Sequence, residues 1–158
     1  MRKLFASLLE KELEKRKDII LLTADLGFGL WDSIRDRFPD NFINVMSSEQ
    51  LMIGSAAGLA LSGKIPVCYS ITPFLLYRPF EFIRNYLHTE QIPVKLVGGG
   101  RDDEYGKAGP THWAFEHEKV MSCLPNISTY VPDDEDKLSQ CFSEFLYSDD
   151  PAYINIKR

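Results

Sequence analysis

Ser48-Glu49-Gln50, followed by Gly54, Ala56, Ala57, Gly58, Leu59 and Ala60, sets a carboxylate at the entrance to a segment of small residues. A carboxylate so placed can share a proton with a ligand that approaches closely over the small side chains. The same spacing suits a helix that gains from an acidic first turn and packs along a small-residue stripe, and both readings stay open on spacing alone. Phe74, Tyr77 and Phe80 gather rings ahead of a further helix, which serves a core as readily as the wall of a pocket for a flat ligand. Arg78 among them either stays near such a pocket or pairs with Glu81 or Glu118. His112 closes a glycine-rich loop, where a histidine is ordinarily a surface or structural residue but has the pKa of a proton shuttle.

The run Gly98-Gly99-Gly100-Arg101-Asp102-Asp103-Glu104 lacks the lysine and the spacing of a phosphate-binding loop, and its acidic half would repel phosphate. Arg101 is the one residue of the run suited to an anion contact. Consecutive carboxylates seldom point at one ion, so Asp102, Asp103 and Glu104 read as a solvated loop, and no metal ligands are assigned. Cys68, Cys123 and Cys141 are odd in number and widely spaced, which suggests neither a disulfide framework nor a thiolate metal site and points to a reducing cytoplasm.

These residues need a scaffold. Leu4, Leu8, Leu9 and Leu13 recur at helical spacing before a short apolar strand, Ile19 to Leu22. The turn-rich stretch 24–30 leads to a weak helix over 31–38, then Pro39-Asp40-Asn41 and a strand from Phe42 to Val45. The rhythm continues as helix 51–61, strand 65–69, helix 77–88 and strand 94–97. After the long loop 98–110 come helix 114–123, strand 127–131, a helix opened by Pro132-Asp133-Asp134-Glu135, and strand 153–156. Apolar strands alternating with helices imply an α/β three-layer sandwich, a mostly parallel sheet flanked by helices, because parallel neighbours need crossovers. Ligands of such sheets sit beyond the carboxyl ends of the strands, where Asp25 and the loops 47–50, 70–77 and 98–112 all fall.

The 158 residues fit one domain, 1–158, with a single good core. An apolar fraction of 44% and a net charge of -5 make nucleic acid and anionic membranes poor partners. No stretch approaches the roughly 20 apolar residues of a membrane span, and the charged start does not read as a signal peptide.

Phe38-Pro39-Asp40-Asn41-Phe42-Ile43-Asn44-Val45, Ser48-Glu49-Gln50 and the run from Ala56 through Gly63-Lys64-Ile65-Pro66 closely resemble the pyrimidine-binding domain of transketolases. The match continues through Pro73-Phe74, Arg78-Pro79-Phe80-Glu81, Ile83-Arg84-Asn85, Pro93 to Val97, Gly109-Pro110-Thr111-His112, Leu124-Pro125-Asn126 and Val131-Pro132. Each piece alone is short; their order and spacing from Asp25 to the last strand carry the resemblance.

The resemblance implies a thiamine diphosphate site in which Glu49 bonds a ring nitrogen of the aminopyrimidine. That bond favours the imino tautomer, whose exocyclic nitrogen removes the thiazolium proton and so prepares the cofactor to attack a ketose or 2-oxoacid carbonyl. Holding a proton there near neutrality calls for a desolvated site at a subunit contact. By the same resemblance Phe74 is the stacking ring, Tyr77 and Phe80 are wall residues, His112 reaches toward the cofactor amine and the substrate oxygen, and Asp25 approaches the thiazolium. Arg101, as an anion contact in its loop, and Arg78, if it stays near the pocket, are candidate substrate-side contacts on residue type alone.

Two segments depart from the family pattern: the acidic loop after Gly100, and Phe28-Gly29 where relatives often carry a small polar residue. The substrate is therefore expected to differ. No Gly-Asp-Gly with a following Asn, the family's diphosphate and magnesium motif, occurs in these residues, and neither does the carboxyl-terminal domain of ordinary transketolases. The expectation is a split enzyme in which a diphosphate-binding subunit holds Mg2+ and the diphosphate, assembled as two copies of each chain and acting on sugars or sugar phosphates by two-carbon ketol transfer. The alternatives are a decarboxylative condensation of the deoxyxylulose phosphate synthase or acyloin type, and a non-catalytic assembly or regulatory subunit.

Overall fold

The computed structural model describes residues 1–158. Helix α1 (Arg2–Lys15) buries Phe5, Leu9 and Leu13 along one stripe and leads to β1 (Ile19–Thr23), whose five residues are all buried. A short α2 (Asp32–Arg37) and a 3-10 turn, Pro39–Asn41, precede β2 (Phe42–Asn44). Helix α3 (Glu49–Leu61) begins after Ser48 and is built on alanines; it ends at Gly63, whose φ of 79° lets the Gly63 and Lys64 amides turn back onto the last carbonyls.

Strand β3 (Ile65–Ile71) runs straight into α4 (Thr72–Tyr77), with Pro73 in the first turn, where its missing N–H costs nothing. Pro79 separates α4 from α5 (Phe80–Phe82), which passes into a π-helical segment, Ile83–Thr89. Then come β4 (Lys95–Gly99), two 3-10 turns at Gly106–Ala108 and Pro110–His112, α6 (His117–Ser122), β5 (Ser128–Tyr130), α7 (Glu135–Tyr147) and β6 (Ala152–Ile156). Asp134 caps α7 by accepting from the Lys137 amide, as the Pro-Asp-Asp-Glu opening anticipates.

The six strands form one sheet in the order β2-β1-β3-β4-β6-β5, every pair parallel. Two apolar clusters sandwich it. On one face Phe5, Leu9 and Leu13 meet Leu138, Phe142 and Phe145 across Leu21, Val67 and Ile154. On the other, Met52, Ile53, Leu75, Leu76, Ile83 and Met121 cover Leu22, Cys68 and Leu96. Strands buried on both faces explain why the sequence shows apolar runs rather than alternation. The strand order reverses between β1 and β3, which opens a crevice at their carboxyl ends.

The helix expected over 77–88 is a correction in register. Residues 72–77, read as loop, are already helical, because Pro73 starts a turn that Pro79 then interrupts. The helix expected over 114–123 contracts to His117–Ser122. The loop expected from Gly98 loses Gly98 and Gly99 to β4.

Candidate active site

Glu49 is the first residue of α3 and only 3% exposed, a carboxylate at the positive end of a helix that opens at the crevice. Its Oε1 accepts a hydrogen bond of 2.7 Å from Arg78 Nη1. Arg78 follows α4 directly, and its guanidinium carbon lies 3.7 Å from the centroid of the Phe74 ring. The sequence left Arg78 near a pocket or paired with Glu81 or Glu118; its ion pair is with Glu49, and it pairs with neither of the other two. Ser47, Ser48, Glu49, Gln50, Leu51 and Arg78 line an open hollow of about 540 Å3.

His112 ends the second 3-10 turn and brings its ring to 4.8 Å from Phe74 at 67°, an edge-to-face contact. Its Nδ1 is 2.9 Å from Thr111 Oγ1, which leaves Nε2 as the ring nitrogen outside that bond. Tyr105 flanks His112 at 5.7 Å, its phenol pushed up to about 12 by burial first and by Tyr69 second. Glu49, Arg78, Phe74 and His112, drawn from three separate segments, thus form one continuous set of contacts.

The glycine triplet serves packing. A Cβ on Gly98 would lie 2.7 Å from Thr72 Oγ1, and one on Gly99 would lie 2.6 Å from the Tyr69 hydroxyl. At Gly100, where φ is 88°, it would strike the Tyr105 ring at 2.3 Å. Beneath these glycines lies a buried polar network that sequence reading missed. Asn155 Nδ2 donates to Thr72 Oγ1 and to the Gly100 carbonyl, and Thr72 Oγ1 donates to the same carbonyl at 2.6 Å. The one trace of it in the sequence is Asn155 itself, a polar residue inside the apolar strand Tyr153–Ile156.

Arg101 departs from the expectation of an anion contact. It is buried, its Nε donates to Asn155 Oδ1 at 2.8 Å, and its other nitrogens reach Asp133 and the Pro132 carbonyl. Hydrogen bonding turns it inward and makes it a strut of the network. Glu104, grouped by sequence with a solvated run, accepts from the backbone amides of Arg101 and Arg158.

Tyr77 and Phe80 line a different hollow, of about 390 Å3, together with Val120 and Cys123. The Tyr77 hydroxyl has no hydrogen-bond partner, and burial, then the Glu116 carboxylate, pushes its phenol up. Asp25 sits beyond β1 at a φ of 57°, its carboxylate accepting from Asn44 Nδ2 at 3.2 Å and its amide donating to Asn44 Oδ1. His117 lies beside the Tyr153 hydroxyl at 3.2 Å, and burial lowers its pKa. No three His, Cys, Asp or Glu side chains gather closely enough to hold a metal ion.

The family described as "Transketolase, pyrimidine binding domain" matches residues 1–158. The chain belongs to this family. This transketolase pyrimidine-binding domain is 30% identical to a putative transketolase C-terminal section of Methanocaldococcus jannaschii, covering 100% of this chain and 50% of that protein. It is 31% identical to the 6-deoxy-6-sulfo-D-fructose transketolase subunit SqwH of a Clostridium species, covering 100% of this chain and 49% of that one. Among solved structures, a split gene transketolase described as an inactive beta4 tetramer superposes with a TM-score of 0.85 at 30% identity, over 99% of this chain and 51% of the other. The chain thus spans about half the length of the curated relatives it matches.

The family uses thiamine diphosphate, and the polar and aromatic groups beside the crevice can be set against its flat end. A buried carboxylate with one oxygen outside the Arg78 bond is linked through the Arg78 guanidinium to the ring of Phe74. Glu49 would hold a ring nitrogen and Phe74 a ring face, with His112 alongside.

No helix is long and apolar enough to cross a membrane.

Proposed function

We propose that this chain supplies the pyrimidine-holding half of a transketolase-like thiamine diphosphate enzyme that transfers two-carbon ketol units between sugars or sugar phosphates. The observation that carries it is Glu49: a carboxylate all but removed from water at a helix start, beside an aromatic ring, on the open end of a parallel sheet. A diphosphate-binding polypeptide would complete the site, holding the diphosphate and Mg2+ in a cytoplasmic assembly of two copies of each chain. The full coverage of this chain against half of each relative, one of them named as a subunit, supports that division.

When bound, the cofactor supplies a carbon nucleophile for addition to a carbonyl. Glu49 orients the ring nitrogen through its carboxylate oxygen and keeps a shared proton away from water. Phe74 fixes the plane of the heterocycle. His112, with Nδ1 tied to Thr111, presents Nε2 as donor or acceptor to a substrate oxygen. Asp25, held by Asn44 beyond β1, faces the crevice as a fixed negative charge. Tyr77 and Phe80 would contribute through the hollow they line with Val120 and Cys123. The test is reconstitution: this chain mixed with a diphosphate-binding subunit, thiamine diphosphate and Mg2+ should form ketol-transfer product from a ketose donor, and Glu49→Gln should nearly abolish it. Retained turnover in that variant would overturn the assignment.

A further inference from the structure

Arg78 makes two contacts at once: a 2.7 Å hydrogen bond to the Glu49 carboxylate and a 3.7 Å approach to the Phe74 ring. Those are the two contacts the function proposed above requires of an aminopyrimidine, a polar edge on Glu49 and a flat face on Phe74. A guanidinium is planar, offers N–H donors along its edge and stacks on aromatic faces, so its shape and donor pattern imitate that heterocycle. We propose that Arg78 is an internal plug, occupying the place of the aminopyrimidine while the site is empty and swinging out when the cofactor enters.

The need for a plug follows from burial. Glu49 is 3% exposed, and a carboxylate withdrawn from water without a counter-charge or donor is costly. Arg78 supplies both in the free chain. The cost of releasing it is small, because its side chain is 47% exposed and makes no other hydrogen bond. Phe74 stays in place meanwhile, since the His112 edge contact and the buried Pro73 and Leu75 on either side hold it independently of Arg78. The chain therefore binds the pyrimidine by exchange, one planar hydrogen-bonding group for another, and its apparent affinity is lowered by the fraction of molecules in which Arg78 is seated.

The inference rests on the proposed pyrimidine site, and the test separates the two. The full chain would be titrated with 4-amino-2,5-dimethylpyrimidine and binding followed by two-dimensional NMR, for the wild type, Arg78→Met and Arg78→Lys, each with and without Glu49→Gln. Arg78→Met keeps the apolar stem and removes the planar cation, and Arg78→Lys keeps the charge without the stacking plane; melting curves confirm that each folds. Expected is binding at least tenfold tighter in Arg78→Met than in the wild type, intermediate in Arg78→Lys, and lost with Glu49→Gln. Binding that depends on Glu49 but is equal or weaker in Arg78→Met overturns the plug and leaves the site standing. Absence of binding in all folded variants overturns both.

Discussion

The ring of His112 meets the ring of Phe74 edge-to-face at 4.8 Å, so the loop that follows β4 is fastened to the helix that follows β3. Two residues from separate crossovers of a parallel sheet thus share one wall of the crevice, and Glu49 and Arg78 extend it. Phe74 is the common member, touched by His112 on its edge and by Arg78 on its face.

Phe74→Ala removes that member. In the reconstituted enzyme the apparent affinity for thiamine diphosphate should fall about tenfold, from the loss of an aromatic contact and its buried area. The measurement is the cofactor concentration for half-maximal activity, and Phe74→Tyr should restore most of it.

His112→Asn should lower kcat roughly 100-fold while the concentration of cofactor needed for half-saturation changes less than threefold, as expected of a proton-transferring or oxyanion-facing group. A loss confined to cofactor affinity would make His112 a wall of the cofactor pocket alone.

Gly98→Ala forces a methyl within 2.7 Å of Thr72 Oγ1 and 3.1 Å of the Tyr153 ring. Overpacking of this kind costs about 1–3 kcal/mol. Chemical denaturation should show that loss, and Asn155→Leu, which removes the acceptor of the buried Arg101 Nε and one of the two donors to the Gly100 carbonyl, should cost about 2 kcal/mol.

Lys95 is buried at the amino end of β4, its Nζ donating to the Ser148 and Asp150 carbonyls, and burial lowers its pKa from 10.5 to about 8. A depressed pKa in the folded chain means that the unfolded chain binds more protons between those two values, so stability rises with pH across that window and is lost as pH falls through 8. Between pH 8 and 9.5 the wild type should gain on the order of 1 kcal/mol relative to Lys95→Met. A constant difference in unfolding free energy across that range would show that Lys95 keeps its ordinary proton affinity.

Much of this architecture is legible in the residues. Apolar runs such as Ile19 to Leu22 could belong only to strands covered on both faces, and the ordered match from Phe38 to Pro132 gave the family. The sequence also placed Glu49, Phe74 and His112 in segments that converge. What it withheld depends on contacts across the sheet. Nothing local tells that Arg78 turns to Glu49 rather than to Glu81 or Glu118, because Glu49 lies 29 residues away in the chain and is brought near only by the fold. Arg101 looks like a free cation in its loop until Asn155, from the far end of the chain, is set beneath it. The helix at Thr72–Tyr77 was hidden because Pro73 and Pro79 read as loop punctuation, although a proline in the first turn is compatible with a helix. Tyr77 and Phe80 share a stretch with Phe74 and line another hollow with Val120 and Cys123, which aromatic spacing alone did not settle.

The central claim is a site completed by a second polypeptide, and calorimetry tests it most directly. Thiamine diphosphate with Mg2+ would be titrated into this chain, into a diphosphate-binding subunit, and into their mixture. The account predicts binding to the mixture far tighter than to either chain alone, weakened by Glu49→Ala. Equally tight binding to the diphosphate-binding subunit by itself, unchanged when Glu49→Ala is added, would contradict it and reduce this chain to a scaffold.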